Sequence, residues 1–114
     1  MATSPPRLTV VYTRRAHRDL DAIWDWNAER DGAAQATDYV QFLETKINGL
    51  ATTYLEGRRV KGFPELKQLA MRRSRQGHFH IAIYEVDEVA GIVNILHVYH
   101  ERQDISGRLE EERG

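Results

Sequence analysis

The residues between Thr13 and Tyr54 carry two runs of apolar side chains at helical spacing, separated only by the dipeptide Asp31-Gly32. The apolar positions of the two runs are Ala16, Leu20, Ile23 and Trp24, then Ala36, Val40, Leu43, Ile47, Leu50 and Tyr54. This spacing predicts two amphipathic helices, and the hydroxyl of Thr13 is suited to cap the first. Two helices with so short a break between them pack as an antiparallel hairpin, which needs an apolar surface to cover.

Strand-like segments stand on both sides of this hairpin. Residues 8–13 precede it, and residues 66–76, 79–86 and 91–100 follow it, after a predicted loop over residues 55–64. The order β-α-α-β-β-β predicts an α+β fold with the helical hairpin on one face of a largely antiparallel sheet. The last two strands are apolar at both alternating sets of positions, so we expect a partner to cover the face away from the helices.

The length of the chain, 114 residues, is suited to one domain. We expect a single domain over residues 1–114, with residues 1–7 and 107–114 loosely held. The sequence contains no cysteine, which excludes a disulfide framework, a thiol nucleophile and a cysteine-based zinc site. No secretory leader and no membrane-spanning run is visible, so we interpret the protein as cytoplasmic, without a membrane partner.

Charge is unevenly distributed along a chain whose net charge is only −1. Residues 58–75 contain seven basic side chains and a single acid, Glu65. A locally basic surface on a nearly neutral protein favours contact with an anionic partner. The alternative is that these side chains only solvate one face of a strand.

Two segments resemble the ParE-type toxins. Residues 19–26 with residues 28–34 resemble the family's "DLxxIxxYxAxxNPxAA" stretch, and residues 95–104 resemble its closing "ILxVxHxRxD" segment. Tyr84 stands at the family's usual aromatic position in the third strand. The likeness spans residues 8–104, and the segments occur in the family's order and at its separations.

This resemblance implies a RelE/ParE-like fold and the toxin half of a toxin–antitoxin pair, as in plasmid stabilisation proteins. ParE-type toxins poison DNA gyrase by binding and carry no required catalytic residues, whereas RelE-type toxins cleave mRNA on the ribosome. We therefore expect a gyrase inhibitor without a cofactor, neutralised in a hetero-oligomer by a ParD-like antitoxin, and without specific DNA binding of its own. The main alternative is a ribosome-dependent endoribonuclease, and a third is a non-toxic interaction module.

The expected target-binding side chains are cations and one imidazole near the C-terminal strands: Arg72, Arg73, Arg75, His100, Arg102 and Arg108. Under the nuclease alternative, the residues available for acid–base work and for neutralising phosphate charge are Tyr99, His100, Arg73 and Arg102. A simpler interpretation is that His97 or His100 makes a structural hydrogen bond.

The expected antitoxin-binding side chains are Trp26, Arg58, Arg59, Lys67 and Tyr84. Trp26 lies off the apolar stripe of its helix, so it either contacts the antitoxin or covers the hairpin. His78 and His80 share one face of a strand and could begin a metal site. Because no third ligand stands at a suitable spacing, no metal is predicted.

Overall fold

Five strands form one mixed sheet in the computed structural model, which describes residues 5–75 and 77–113. The elements in chain order are β1 (Thr9–Tyr12), α1 (Arg14–Asp31), α2 (Ala33–Asn48), α3 (Leu50–Thr53), β2 (Arg58–Val60), β3 (Phe63–Met71), β4 (His80–Asp87), β5 (Ile92–His100) and α4 (Ile105–Arg113). The sheet order is β1-β5-β4-β3-β2, in which β1 pairs parallel with β5 and every other pairing is antiparallel. The predicted α+β fold is confirmed.

The helical hairpin forms as the spacing predicts. The Thr13 hydroxyl accepts a hydrogen bond from the Ala16 N–H at 3.1 Å and thereby caps α1. Gly32 lies between α1 and α2 with φ of +93°, a conformation that side chains with a Cβ rarely adopt. Its own N–H donates to the Ala28 carbonyl at 2.9 Å, which closes the last turn of α1.

The hairpin buries one face of the sheet in the main hydrophobic core. Leu43 and Ile47 of α2 pack in this core with Ala82, Tyr84 and Ile95 of the central strands. Tyr84 has no solvent exposure, and its hydroxyl donates to the Tyr54 carbonyl at 3.0 Å. The prediction that Tyr84 contacts the antitoxin is therefore wrong, because its strand turns this side chain towards the helices.

Both alternating sets of positions in the last two strands are apolar because each face of the sheet carries an apolar cluster, and along β5 a β-bulge also reverses the alternation. Ile83 pairs with His97 and Tyr84 pairs with Ile95, so Leu96 is the extra residue on β5. The bulge reverses the alternation, and Val98 joins Ile95 on the helix side while Tyr99 faces away. The away side, which we call the second face, carries its own apolar cluster of Val60, Phe63, Leu66, Ile81, Ile83, Tyr99 and Leu109.

The C-terminal segment differs from the loosely held tail that its composition suggests. Residues 105–113 form α4, and Leu109 of this helix is only 5% exposed because it packs on the second face. Ile105, four residues earlier, contacts the same cluster, so the two apolar residues share one side of the helix. Part of the face that was expected to need a partner is thus covered by the chain itself.

At the N-terminal end, residues 1–4 lie outside the described residues. The Pro6 carbonyl accepts a hydrogen bond from the Tyr54 hydroxyl at 2.8 Å, and Leu8 is buried. The prediction of a single domain over the full length stays a prediction.

Two local predictions need correction. Residues 58–60 form the edge strand β2, although residues 55–64 were expected to be a loop, and β3 starts at Phe63 rather than at Leu66. Gly62, with φ of +84°, makes the tight connection between them. Trp24, one of the apolar positions of α1, is half-buried, and its ring N–H donates to the Thr37 hydroxyl of α2 at 3.0 Å. No helix among the described residues is both long and apolar enough to cross a membrane.

Candidate functional site

All candidate target-binding residues except Arg108 meet at one end of the sheet. Met71, the last residue of β3, pairs with His80 at the start of β4, and His80 pairs with His100 at the end of β5. The residues that follow β3 and those that follow β5 therefore lie at the same edge of the sheet. We call this surface, formed by residues 72–75, 77–80 and 100–103, the basic end.

Two arginines of the basic end are held by contacts with neighbouring side chains. The Arg72 guanidinium carbon lies 3.7 Å from the centroid of the Phe79 ring, a cation–π contact. Arg73 forms an ion pair with Asp38 of α2 and lies over the Phe42 ring at 5.5 Å. The Arg73 side chain remains about half exposed (49%), so a partner can still reach it. The basic end thus presents partly oriented cations rather than fully mobile ones.

Three histidines cluster at the same place. The rings of His78 and His80 each lie 5.2 Å from the ring of His100, between centroids. His80 Nδ1 is 2.6 Å from the Tyr39 hydroxyl, and His78 Nδ1 is 2.7 Å from Glu101 Oε1. Burial lowers the pKa of His80 to about 4, and the neighbouring His100 adds to this effect. Burial likewise lowers the pKa of His100, with His78 as the next contribution.

A cleft of about 430 Å³ opens beside this histidine cluster, between α1 and the end of β5. Trp26 lines it together with His80 and His100, and Trp26 is 54% exposed. The Arg30 guanidinium stacks on the Trp26 ring at 4.0 Å. The structure therefore brings Trp26 together with a target-binding candidate, His100, rather than with Arg58 and Arg59.

Tyr99 and His100 face opposite sides of the sheet, as successive strand residues do. Tyr99 is 2% exposed in the cluster of the second face, and burial, with the nearby Glu112 carboxylate, raises its pKa to about 12. It stacks on His97, whose Nε2 lies 2.7 Å from Glu112 Oε2. His97 thus makes a structural contact with α4, as the simpler interpretation of this residue expects. The catalytic set of the nuclease alternative does not assemble, because Tyr99 is separated from His100 by the sheet.

The basic antitoxin-binding candidates are divided between the two faces. Arg58 pairs with Gln68 in the sheet, whereas Arg59 pairs with Lys67, which in turn pairs with Tyr84. Arg59 and Lys67 therefore lie on the helix side, where the Lys67 ammonium donates to the Gly57 carbonyl at 3.4 Å. Arg58 instead borders an open groove of about 470 Å³. This groove, the Arg58 groove, is lined by Glu56, Gly57, Arg58, Gln68, Leu69, Ala70, Arg72, Phe79 and Ile81.

Sequence reasoning missed two residues of the histidine cluster and misplaced one cation. Tyr39 and Glu101 contact His80 and His78, respectively, although Tyr39 lies on α2, far from them in sequence. A prediction of how β4 pairs with β5 would have placed Glu101 in the cluster. The pairing aligns His80 with His100, and Glu101 directly follows His100. Arg108 lies on α4, outside the segments that form the basic end.

Comparison with known proteins identifies the family. The family model described as "ParE toxin of type II toxin-antitoxin system, parDE" matches residues 10–105. Toxin ParE1 of Caulobacter vibrioides is 33% identical over 85 residues, which cover 75% of this chain and 83% of that protein.

Solved structures show the same fold. A chain of the chromosomal ParDE system from P. aeruginosa superposes with a TM-score of 0.70 at 24% identity, covering 82% of this chain and 96% of that one. A mutant of the E. coli toxin RelE in the free state gives a TM-score of 0.57 at 15% identity, covering 94% of this chain and 97% of that one. The family-model match over residues 10–105 and the 33% identity to Toxin ParE1 establish that the chain belongs to the ParE toxin family of type II toxin–antitoxin systems.

Proposed function

We propose that this chain arrests growth by binding DNA gyrase in the cytoplasm, without catalysing a reaction, until its cognate antitoxin neutralises it. The observation that carries this proposal is the family match over residues 10–105, because gyrase poisoning by binding is what the ParE resemblance implies. A chain that acts by binding needs an accessible surface with anchoring side chains, and it needs no acid–base pair.

The layout of the basic end supports binding over RNA cleavage. A nuclease that uses the RNA 2′-hydroxyl needs a base and an acid on either side of the scissile phosphate. Tyr99 is buried on the second face, while His80 is 8% exposed and bonded to Tyr39. His100 is then the one member of the expected acid–base pair that lies at the basic end.

We assign target binding to the basic end and the adjoining cleft. Arg72, Arg75 and Arg102 are exposed there, and Trp26 offers a large, half-exposed ring at the cleft. Arginine and tryptophan are the side chains that most often dominate the energy of protein interfaces. The complementary partner is an acidic protein surface that inserts one apolar side chain into the cleft.

We assign part of the antitoxin contact to the Arg58 groove. Its lining includes the apolar side chains of Phe79 and Ile81 and two cations, Arg58 and Arg72, against a single acid, Glu56. α4 covers another part of the second face and leaves this groove open. An amphipathic antitoxin segment with acidic residues on one side matches that arrangement and would order on binding.

His100→Ala tests the choice between binding and catalysis. A nuclease that loses its proton-transfer group slows by about 10²–10⁴-fold. A binder loses only contact energy, about 1 kcal/mol at an ordinary interface position. We expect the variant to keep most of its growth inhibition when induced without antitoxin. His17→Ala, which removes an exposed histidine from α1, is the matched control. Harmless expression of a folded, antitoxin-binding His100→Ala protein would contradict the proposal.

Arg58→Glu tests the antitoxin assignment. Reversing a charge at the border of an interface mainly slows association, here by about tenfold at low salt, and it reduces the salt dependence of the rate. Surface-immobilised antitoxin and stopped-flow or biosensor kinetics provide the measurement. Arg18→Glu, an exposed arginine on α1, serves as the control and should leave the rate unchanged. Equal rates for both variants would remove the Arg58 groove from the antitoxin interface.

A further inference from the structure

His78, His100 and Glu101 come together from two adjacent strand ends. Each offers one ligand atom, and these atoms all lie within 4.8 Å of one another. The three side chains range from half-buried to exposed, so an ion in solution can reach them. This grouping depends on the pairing of β4 with β5, which brings residues from separate parts of the chain to one edge.

We propose that His78, His100 and Glu101 bind a divalent transition-metal ion of the zinc class, with at least one coordination position left open. Two imidazole nitrogens and one carboxylate oxygen form a three-ligand set suited to zinc, to which water or a partner's side chain supplies the fourth ligand. Magnesium and calcium are disfavoured by this donor set, because they prefer oxygen ligands in larger number.

The adjustment needed to close the site is small. Ligand atoms about 2.1 Å from a tetrahedral ion lie about 3.4 Å apart. His78 Nδ1 and Glu101 Oε1 are closer than this, at 2.7 Å, and the full set spans up to 4.8 Å, so movements on the order of 1 Å suffice. The His78 side chain is 51% exposed and has room to make them. His80 positions the ring of His100, because the two rings meet edge-on and His80 is itself hydrogen-bonded to the Tyr39 hydroxyl.

Metal binding has a structural consequence at Arg102. The Arg102 N–H donates to His100 Nδ1 at 3.2 Å. If Nδ1 binds the ion, its lone pair is no longer available, and if Nε2 binds, Nδ1 carries the proton of the neutral ring. In either case this hydrogen bond is lost. Metal binding therefore removes this hydrogen bond within residues 100–103. It replaces the hydrogen bond with a stronger metal–ligand bond, which also links these residues to His78. Arg102 is exposed, so water screens its charge from the ion.

Zinc titration of the full chain, purified without a polyhistidine tag, tests this proposal. We expect one equivalent of Zn²⁺ to bind saturably by calorimetry, and Mg²⁺ to produce no binding signal. His78→Gln and Glu101→Gln should each weaken zinc affinity by about tenfold or more, in line with the loss seen when groups around a metal are removed. His17→Gln removes an exposed histidine that stacks on Tyr12, far from the cluster in sequence, and should leave affinity unchanged.

A second measurement follows the Arg102 amide by NMR. Zinc should shift its resonance in the wild-type chain and in His17→Gln at the same zinc concentration, and the same shift in His78→Gln should require about ten times more zinc. Absence of saturable one-to-one binding would overturn the proposal. Equal affinity in His78→Gln and His17→Gln would also overturn it, as would an Arg102 resonance that stays unmoved at saturating zinc. Because growth inhibition is not a readout in either measurement, the result is independent of which target the toxin binds.

Discussion

Tyr84→Ala lowers the free energy of unfolding by about 3–5 kcal/mol in our expectation, the range for removing a large aromatic side chain from a core. The ring is fully buried under the helical hairpin, and its hydroxyl donates to the Tyr54 carbonyl. A Cβ added to Gly57 would clash with this hydroxyl, which shows how closely the surrounding chain packs on it. Urea denaturation followed by circular dichroism measures the change.

Tyr84→Phe is the control, since it keeps the ring and loses only the hydrogen bond. We expect it to cost about 1 kcal/mol and to leave antitoxin affinity intact. Loss of antitoxin binding by Tyr84→Phe in a fully folded protein would restore Tyr84 to the antitoxin interface. A stability loss below about 1 kcal/mol for Tyr84→Ala would contradict the packing described for the main core.

Leu109→Ala lowers stability by about 2–3 kcal/mol, towards the lower end of the range for buried leucines. Leu109 is the buried side chain that α4 contributes to the second face. The cost is limited because a terminal helix can detach locally while the rest of the sheet stays folded. Hydrogen exchange should then show faster exchange across α4, with the strands β4 and β5 still protected.

Glu110→Ala, one residue further along the same helix, is the matched control because this side chain is exposed. Its effect should stay within about 0.5 kcal/mol. Equal stability of the two variants would mean that α4 is not docked through Leu109. In that event the second face would again need an external partner to cover it.

The helical hairpin and the sheet could be predicted because their signals are local. Apolar spacing and the glycine after Asp31 specify two helices and the break between them without reference to the rest of the chain. β2 could not be predicted in this way, because three residues at a sheet edge carry almost no periodicity and are ordered by pairing with β3. The docking of α4 was missed for a related reason, since a helix with few apolar residues depends on the surface that receives it.

The candidate site was predicted only in part. The arginines that follow β3 and the histidine that ends β5 lie at one edge of the sheet, because each strand pairs antiparallel with β4 between them. Tyr99 was named beside His100 for the nuclease alternative, but successive strand residues face opposite sides of the sheet. Tyr99 is therefore buried on the side away from His100. The side of the sheet on which each of these residues lies also depends on the bulge at Leu96, and a bulge leaves no clear mark in one sequence. Tyr39 could not be predicted, because only the packing of α2 on the sheet brings its hydroxyl to His80.

Binding of DNA gyrase is the property on which the proposed action of this ParE-family toxin depends. The most direct measurement is the supercoiling of relaxed plasmid by purified gyrase, with increasing amounts of toxin and then with toxin premixed with its antitoxin. We predict that inhibition of supercoiling rises with toxin concentration, that His100→Ala needs at most about fivefold more protein for the same inhibition, and that antitoxin restores activity. Unchanged supercoiling, together with codon-positioned cleavage of mRNA on isolated ribosomes by the same preparation, would contradict gyrase binding as the mode of action.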